Sequence, residues 1–513
     1  MSDSTMGGAQ PQDERIRVSL KNVDYYYRGD FDEEVDAAAE AIERSHLGCI
    51  NDINFEVRSG EIVVLCGASG SGKSTVIRTI NGLATKFHQG VLKGTVTVNG
   101  QDMATVELND VCRLSATVFQ NPRTQFFTTD VRSEMALPLE NIGMDPQIIC
   151  QKIADVTAKT KLQWALDRQL SGLSGGQLQR VACACALCMD VPVILFDEPT
   201  SNLDVESIEE FAVLLRELKE AGAAIIVAEH RLHFLAGLAD TVYRLEAGRI
   251  VETFSGEEFF ALSSQECRER GLRARTLPNP QLPTPPMSGE GLVAENVRFS
   301  YGDTTILDID KVSFPAGAIT ILSGPNGAGK TTFARVICGL AKPESGAIFR
   351  LNGKAMSSSK RNHSCAIVMQ DARRQLFSES VYEEVRLGQE KICDEETAKQ
   401  LLKRLDLEVC AEAHPLATSG GQQQRLVIAA ALGSKRKVVI FDEPTSGVDY
   451  RQLNRIGSLL RELADSRAVV IVITHDREFM AECGDYEFAI PKLLGVGGHQ
   501  DSQNLMPSKP SRT

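Results

Sequence analysis

The sequence predicts an α/β protein of two tandem domains, each built on a mainly parallel β-sheet. Three observations carry that prediction. The chain has 513 residues, too many for one core and suited to two domains of roughly 200–250 residues. Apolar runs such as Ile62-Val-Val-Leu-Cys66 and Val193-Ile-Leu-Phe196 are continuous rather than alternating, as in strands covered on both faces. The same kit of residues also occurs twice: Ser174, Asp197, Asp204 and His230 recur as Ser419, Asp442, Asp449 and His475, each 245 positions later.

Residues 1–14 are polar, and disorder is expected there. A first domain is expected over 15–270. Tyr27 to Gly67 spans 40 positions and Tyr301 to Gly324 only 23, so the first half carries about 17 extra residues, an acidic insertion at about 29–46. It reads as a solvated acidic helix or loop, or else as a partner-docking element. The run Ile62–Cys66 leads into a glycine-rich loop. Asp145-Pro146 reads as an N-cap followed by Pro at N1, ahead of a helix near 147–160. Val193–Phe196 ends at Asp197-Glu198, and Ile225–Ala228 ends just before His230.

Residues 271–290 include Thr276-Leu-Pro-Asn-Pro-Gln-Leu-Pro-Thr-Pro-Pro286. Their prolines favour an extended, semi-rigid linker. The second domain, 291–492, repeats the pattern with Ala318–Leu322, Val438–Phe441 and Val469–Ile473. It lacks a clear equivalent of Leu245-Glu-Ala-Gly248-Arg-Ile, so its C-terminal end is expected to be truncated or irregular. The tail 493–513 is rich in Gly, Ser and Pro and is expected to be loose.

Composition excludes several function classes. The net charge is −13, which disfavours nonspecific nucleic-acid binding, so no nucleic-acid partner is expected. No apolar run approaches the roughly 20 residues that cross a bilayer. The N-terminus lacks the basic and apolar regions of a signal peptide, so a cytoplasmic location is expected. The thirteen cysteines are scattered, as suits reduced thiols. Cys183, Cys185 and Cys188 resemble a metal cluster at first sight. Aligning Arg180 with Arg425 places them opposite Ile428, Ala430 and Gly433, where cysteine acts as a small apolar residue.

The chemistry sits at the ends of the apolar runs, where open α/β sheets bind ligands. Gly67-Ala-Ser69-Gly70-Ser-Gly72-Lys73-Ser74 and Gly324-Pro-Asn326-Gly327-Ala-Gly329-Lys330-Thr331 both follow a strand. Glycines let backbone N–H groups turn toward phosphate oxygens. The helix start that follows, with Thr75 or Thr332 next in line, favours anions. Lys73 and Lys330 suit the β- and γ-phosphates, and Ser74 and Thr331 suit Mg²⁺. Asp197 and Asp442 suit Mg²⁺ coordination. Glu198 and Glu443 suit orientation or deprotonation of an attacking water.

Leu173-Ser174-Gly175-Gly176-Gln177 and Ser419-Gly420-Gly421-Gln422 resemble the signature of ABC-type ATPases. Gln120 and Gln370 match the glutamine loop, Asp204 and Asp449 the D-loop, and His230 and His475 the switch histidine. Tyr25, Tyr26 and Tyr27 all neighbour the adenine-stacking position, and alignment with Val297-Arg-Phe-Ser-Tyr301 selects Tyr27 beside Tyr301. The resemblance covers about residues 17 to 490. It implies P-loop ATPase domains with an antiparallel β lobe and a helical subdomain. It further implies head-to-tail pairing of the two halves, with two ATP molecules between them. Gln120 and Gln370 would also help hold Mg²⁺. One site would join Lys73, Glu198 and His230 to the Ser419 signature, and the other Lys330, Glu443 and His475 to the Ser174 signature.

Val118-Phe-Gln-Asn-Pro-Arg-Thr-Gln-Phe-Phe127 and Ala228-Glu-His-Arg-Leu232 resemble the energy-coupling-factor importers, including their fused double ATPases. That resemblance implies work on the cytoplasmic face of a membrane. The implied partners are an integral-membrane coupling subunit and a membrane substrate-binding subunit that captures a vitamin or metal ion. A tandem ATPase of a sugar or peptide importer, or a soluble ABC protein acting on ribosomes or DNA, would share the ATP chemistry.

Overall fold

The computed structural model describes residues 15–27, 49–88, 90–201, 203–287, 289–389, 391–491 and 493. The expected N-terminal segment, acidic insertion and C-terminal tail thus lie outside the described residues.

Each half has two sheets. In the first half, Ile16–Tyr26, Ile50–Arg58, Val91–Val98 and Gln101–Asp102 form an antiparallel lobe. The core sheet runs in the order Arg249–Ser255, Thr241–Glu246, Ile62–Gly67, Ala224–Ala228, Val193–Asp197, Ser115–Val118. Every neighbouring pair in it is parallel except the first. The second half repeats the antiparallel lobe. Its core sheet is wholly parallel, in the order Cys365–Val368, Val438–Asp442, Val469–Ile473, Ile319–Ser323, Tyr486–Ala489.

Successive strand residues face opposite ways, and the strand Ile62–Gly67 uses both sides. Val63 and Leu65 pack with Val18, Leu20, Val76 and Ile80 under the lobe. Ile62 and Val64 pack with Phe211 and Leu215 on the other face. Burial on both faces is why the run carries no alternation.

A helical subdomain interrupts each half before its signature helix. In the first half it comprises Val131–Asn141 and Pro146–Lys159, packed on Gly175–Cys188 through Met135, Leu139, Ile149, Ile153 and Val181. Asp145 caps the second of these helices, its Oδ1 accepting from Gln147 N at 2.8 Å. Cys183 belongs to the core beside the sheet, and Cys185 and Cys188 to that of the helical subdomain. Burial pushes the Cys183 and Cys188 thiols up to about 12. Among the described residues no His, Cys, Asp and Glu group is arranged to hold a metal ion.

In the second half Tyr486–Ala489 pairs with Ile319–Ser323 as Thr241–Glu246 does with Ile62–Gly67, and the strand Arg249–Ser255 has no counterpart among its described residues. The described residues of the segment 271–290 are irregular but packed rather than a free spacer. Pro283 accepts from Glu487 N at 3.0 Å, and Leu282 lies against the second core. Leu272 and Arg273 are buried at its start. Apolar side chains and a charge anchor it, neither of which its proline content announces.

Candidate nucleotide site

Both glycine-rich loops are held in left-handed backbone. Gly67, Gly70 and Gly72 have φ of 141°, 79° and 101°, and Gly324, Gly327 and Gly329 have 136°, 81° and 91°. A Cβ on Gly67 would stand 2.2 Å from the Leu245 carbonyl oxygen, and one on Gly324 2.5 Å from that of Ile490. The two loops therefore nest against equivalent strand ends. Lys73 and Lys330 open the helices Lys73–Ile80 and Lys330–Ile337. Each folds its Nζ back on its own loop, to Gly67 and Ala68 oxygens at 3.1 Å each and to Gly324 and Pro325 oxygens at 2.8 and 3.1 Å.

Ser74 Oγ donates to Asp197 at 2.9 Å, and Thr331 Oγ1 to Asp442 at 2.7 Å. Burial and the adjacent Glu198 push the Asp197 carboxyl up to about 6, and burial raises Asp442. A buried carboxylate paired with a hydroxyl beside a glycine-rich loop is a hard oxygen donor set. It fits Mg²⁺.

Glu198 and Glu443 stand next in the chain with φ of 48° and 51°, a region costly for a residue with a side chain. Each is pinned across the sheet, Glu198 N donating to Ala228 O at 2.8 Å and Glu443 N to Ile473 O at 2.9 Å. The strand that leads to each histidine thus fixes its partner glutamate. Burial pushes both carboxyls up to about 7, near the useful range for a general base at neutral pH. Gln120 Nε2 donates to Glu198 Oε2 at 2.5 Å.

His230 Nε2 lies 3.3 Å from Glu198 Oε1 and 3.4 Å from Lys73 Nζ. His475 Nε2 lies 2.9 Å from Lys330 Nζ and 4.0 Å from Glu443 Oε1. Burial, reinforced by the lysines, lowers His230 to about 3 and His475 to about 4. Both rings are neutral near pH 7, so the His230–Glu198 contact is not an ion pair. A second acid buttresses each site from a different place. In half one, Glu229 accepts from the Thr200 hydroxyl and from His230 N at 2.6 Å. In half two the buttress is Asp476, which accepts from Thr445 Oγ1 at 2.8 Å.

The halves close on one another. Asp449 Oδ2 accepts from Ser69 N at 2.7 Å, so the second D-loop touches the first phosphate loop. A cleft of about 350 Å³ joins the other pair of edges. Asn326, Gly327, Gly329, Lys330, Thr331, Thr332, Gln370, Asp442, Glu443 and His475 line it from half two, as does Tyr301. Ser174, Gly175, Gly176 and Asp204 face them from half one.

Gln177 and Gln422 sit at the signatures, but their side chains complete capping boxes. Ser174 N donates to Gln177 Oε1 at 2.9 Å, and Ser419 N to Gln422 Oε1 at 2.8 Å. They stiffen the starts of the helices Gly175–Cys188 and Gly420–Gly433, where Ser174, Gly175, Gly176 and their counterparts Ser419, Gly420 and Gly421 form the N-terminal ends, positions that favour anions in general. Tyr27 and Tyr301 hold equivalent places, each packed edge-on at 4.9 Å, against Tyr25 and Phe299 respectively. Tyr301 is 55% exposed. The Tyr27 hydroxyl accepts from Arg78 at 2.9 Å and meets Thr75 Oγ1 at 3.3 Å.

Sequence reasoning passed over four residues at the junction of the halves: Ser201, Leu203, Arg231 and Arg273. Arg231 stood beside a recognised histidine, which was the available signal. Arg273 gave none, because its partners lie about 200 positions away.

The family description "ABC transporter" matches residues 50–201 and 307–446. An ABC transporter ATP-binding protein assigned in Treponema denticola is 37% identical over 473 residues, covering 90% of this chain and 93% of the relative. YkoD of Bacillus subtilis, assigned as an HMP/thiamine import ATP-binding protein, is 31% identical over 89% of each chain. Among solved structures, one of RNase-L Inhibitor aligns with a TM-score of 0.57 over 86% of each chain at 23% identity, a likeness of fold. The chain thus belongs to the ABC transporter family of ATP-hydrolysing, ATP-binding proteins and carries that family's domain twice.

Proposed function

We propose that this chain powers a membrane importer of the energy-coupling-factor type that moves a vitamin, a vitamin precursor or a transition-metal ion. The carrying observation is a pair of exposed aromatics. Phe127 and Phe377 each follow their glutamine by seven positions and are 84% and 77% exposed. Their amides donate to the inward-facing carboxylates of Glu134 and Glu384 at 3.0 and 2.7 Å. Two apolar residues held outward at twin positions suit a hydrophobic partner that presents two similar elements. No helix among the described residues is long and apolar enough to cross a membrane, so other subunits would supply the spanning part. The similarity to YkoD supports import. A sugar or peptide importer shares the ATP chemistry, and a ribosomal role has only fold likeness behind it.

In this reading one ATP lies between the Lys330 loop and the Ser174 signature, and a second between the Lys73 loop and the Ser419 signature. Tyr27 and Tyr301 flank adenine. Glu198 and Glu443 take a proton from the attacking water, and Gln120, Gln370, His230 and His475 position that water and the γ-phosphate. Ser74, Asp197 and Gln120, with Thr331, Asp442 and Gln370, would hold Mg²⁺, which neutralises phosphate charge. Closure is favoured by bound ATP and released by hydrolysis.

Affinity purification from detergent-solubilised membranes tests the importer reading. Hydrophobic membrane subunits are expected with the unaltered chain and lost from a Phe127→Glu, Phe377→Glu variant that still binds ATP. Recovery of ribosomal components alone would overturn it.

A further inference from the structure

The two halves differ in the residue that follows the histidine. His230 is followed by Arg231, and His475 by Asp476. Asp476 is buried and fully engaged. It takes a bidentate pair from Arg273 at 2.6 and 2.7 Å and a hydrogen bond from Thr445. Arg231 has a different setting. Its backbone is fixed between the buried His230 and the buried Leu232, and its amide donates to Glu229 at 3.3 Å. Its side chain crosses the junction and lines the cleft built on half two, with Lys330, Glu443 and His475. Among the described residues it has no carboxylate at ion-pair distance, and the buried acids that feel its charge, Glu443 and Asp476, both belong to half two.

The matching position at the other site holds an acid already paired with a cation. The groups that act on the two glutamates agree. Arg231 is the strongest charge acting on Glu443, beside Asp442, Lys330 and Asp476. Glu198 feels its own loop's Lys73, with Asp449 opposing it.

We infer that Arg231 is a further residue of the half-two site, supplied in trans by half one as a cation for the γ-phosphoryl group, and that the half-one site has no such cation. Hydrolysis forms a bond from the water oxygen to the γ-phosphorus as the bond to the bridging oxygen breaks. The bond pair leaves with ADP, and the water proton passes to Glu443. In that transition state charge is spread over the γ-phosphoryl oxygens, and a fixed guanidinium there stabilises it without reorganising solvent.

The test is site-resolved trapping in the intact chain. Azido-ATP, Mg²⁺ and orthovanadate trap a transition-state-like complex, photolysis labels it, and proteolysis separates half-one from half-two peptides. Arg231→Ala is expected to lower half-two labelling at least about tenfold while half-one labelling stays, and Arg231→Lys is expected to recover part of the loss. Half-one labelling reports in the same molecule that the fold survives. Equal loss in both halves, or undiminished labelling of half two, would overturn the inference. Absence of half-two labelling in the unaltered chain would instead remove half two as a hydrolysing site, and the inference with it.

Discussion

The Ser446 hydroxyl donates to the Ser201 carbonyl at 2.5 Å, and these residues occupy the same position of the two repeats. An approximate twofold axis therefore runs between them. The D-loops flank that axis, Asp449 against the Ser69 amide and Asp204 in the opposite cleft. Asp449→Ala removes the first of these contacts. Because Asp449 Oδ1 also caps the helix Tyr450–Asp465, accepting from Gln452 N at 2.7 Å, the variant is expected both to slow steady-state hydrolysis several-fold and to lower the thermal midpoint, as measured by phosphate release and calorimetry.

Replacing both Glu198 and Glu443 by Gln keeps shape and removes the proposed base. Turnover is expected to fall at least about a hundredfold, with ATP binding retained by equilibrium dialysis. Turnover near that of the unaltered chain would exclude these glutamates from the chemistry.

The same carboxyls make stability depend on pH. Burial raises Glu198 and Glu443 from 4.5 to about 7 and Asp197 from 3.8 to about 6. Between those limits the native state holds protons that the unfolded chain has released, so stability falls as pH rises. Buried His230 and His475, lowered from 6.5 to about 3 and about 4, act in the opposite sense below pH 6.5, so in the absence of nucleotide the carboxyls superimpose a drop in thermal midpoint from pH 5 to pH 8 on that rise. Glu198→Gln with Glu443→Gln should flatten that drop, and an unchanged slope would contradict it.

Gly324 and Gly327 separate two costs in one loop. Both have left-handed φ, but a Cβ on Gly327 meets nothing within 4 Å, whereas one on Gly324 strikes the Ile490 oxygen. Gly327→Ala should cost about 1–2 kcal/mol. Gly324→Ala should cost more, because its clash is with backbone. Urea denaturation of the two variants distinguishes them.

Arg273 is buried with Asp476 and Glu478 and also donates to the Val448 carbonyl at 3.2 Å. Arg273→Ala leaves two buried acids without their cation and should destabilise the chain by about 3–5 kcal/mol. Asp476 is held at about 2, because Arg273 and Arg231 outweigh the upward push of burial. The variant should therefore lose most at neutral pH and recover stability in acid.

Much of this was legible in the residues. Buried strands ending at Asp197, His230 and their twins announce themselves because burial on both faces leaves no polar positions in the run. Helix-capping Asp145 is readable because a cap is local. The remainder depends on distant partners. Nothing near Arg273 indicates that it will be buried by half two. Gln177 carries the family signature, yet its side chain serves the helix end. The left-handed backbone of Glu198 arises from a hydrogen bond to a strand 30 positions on.

Glu229 and Asp476 solve the same buttressing problem from opposite sides of their histidines, and that difference frees position 231 for an arginine. A homodimer of first halves would place this arginine at both junctions, and one of second halves at neither. Joining unlike halves in one polypeptide lets the molecule break its own symmetry at a single residue, so its two ATP sites need not be copies of each other.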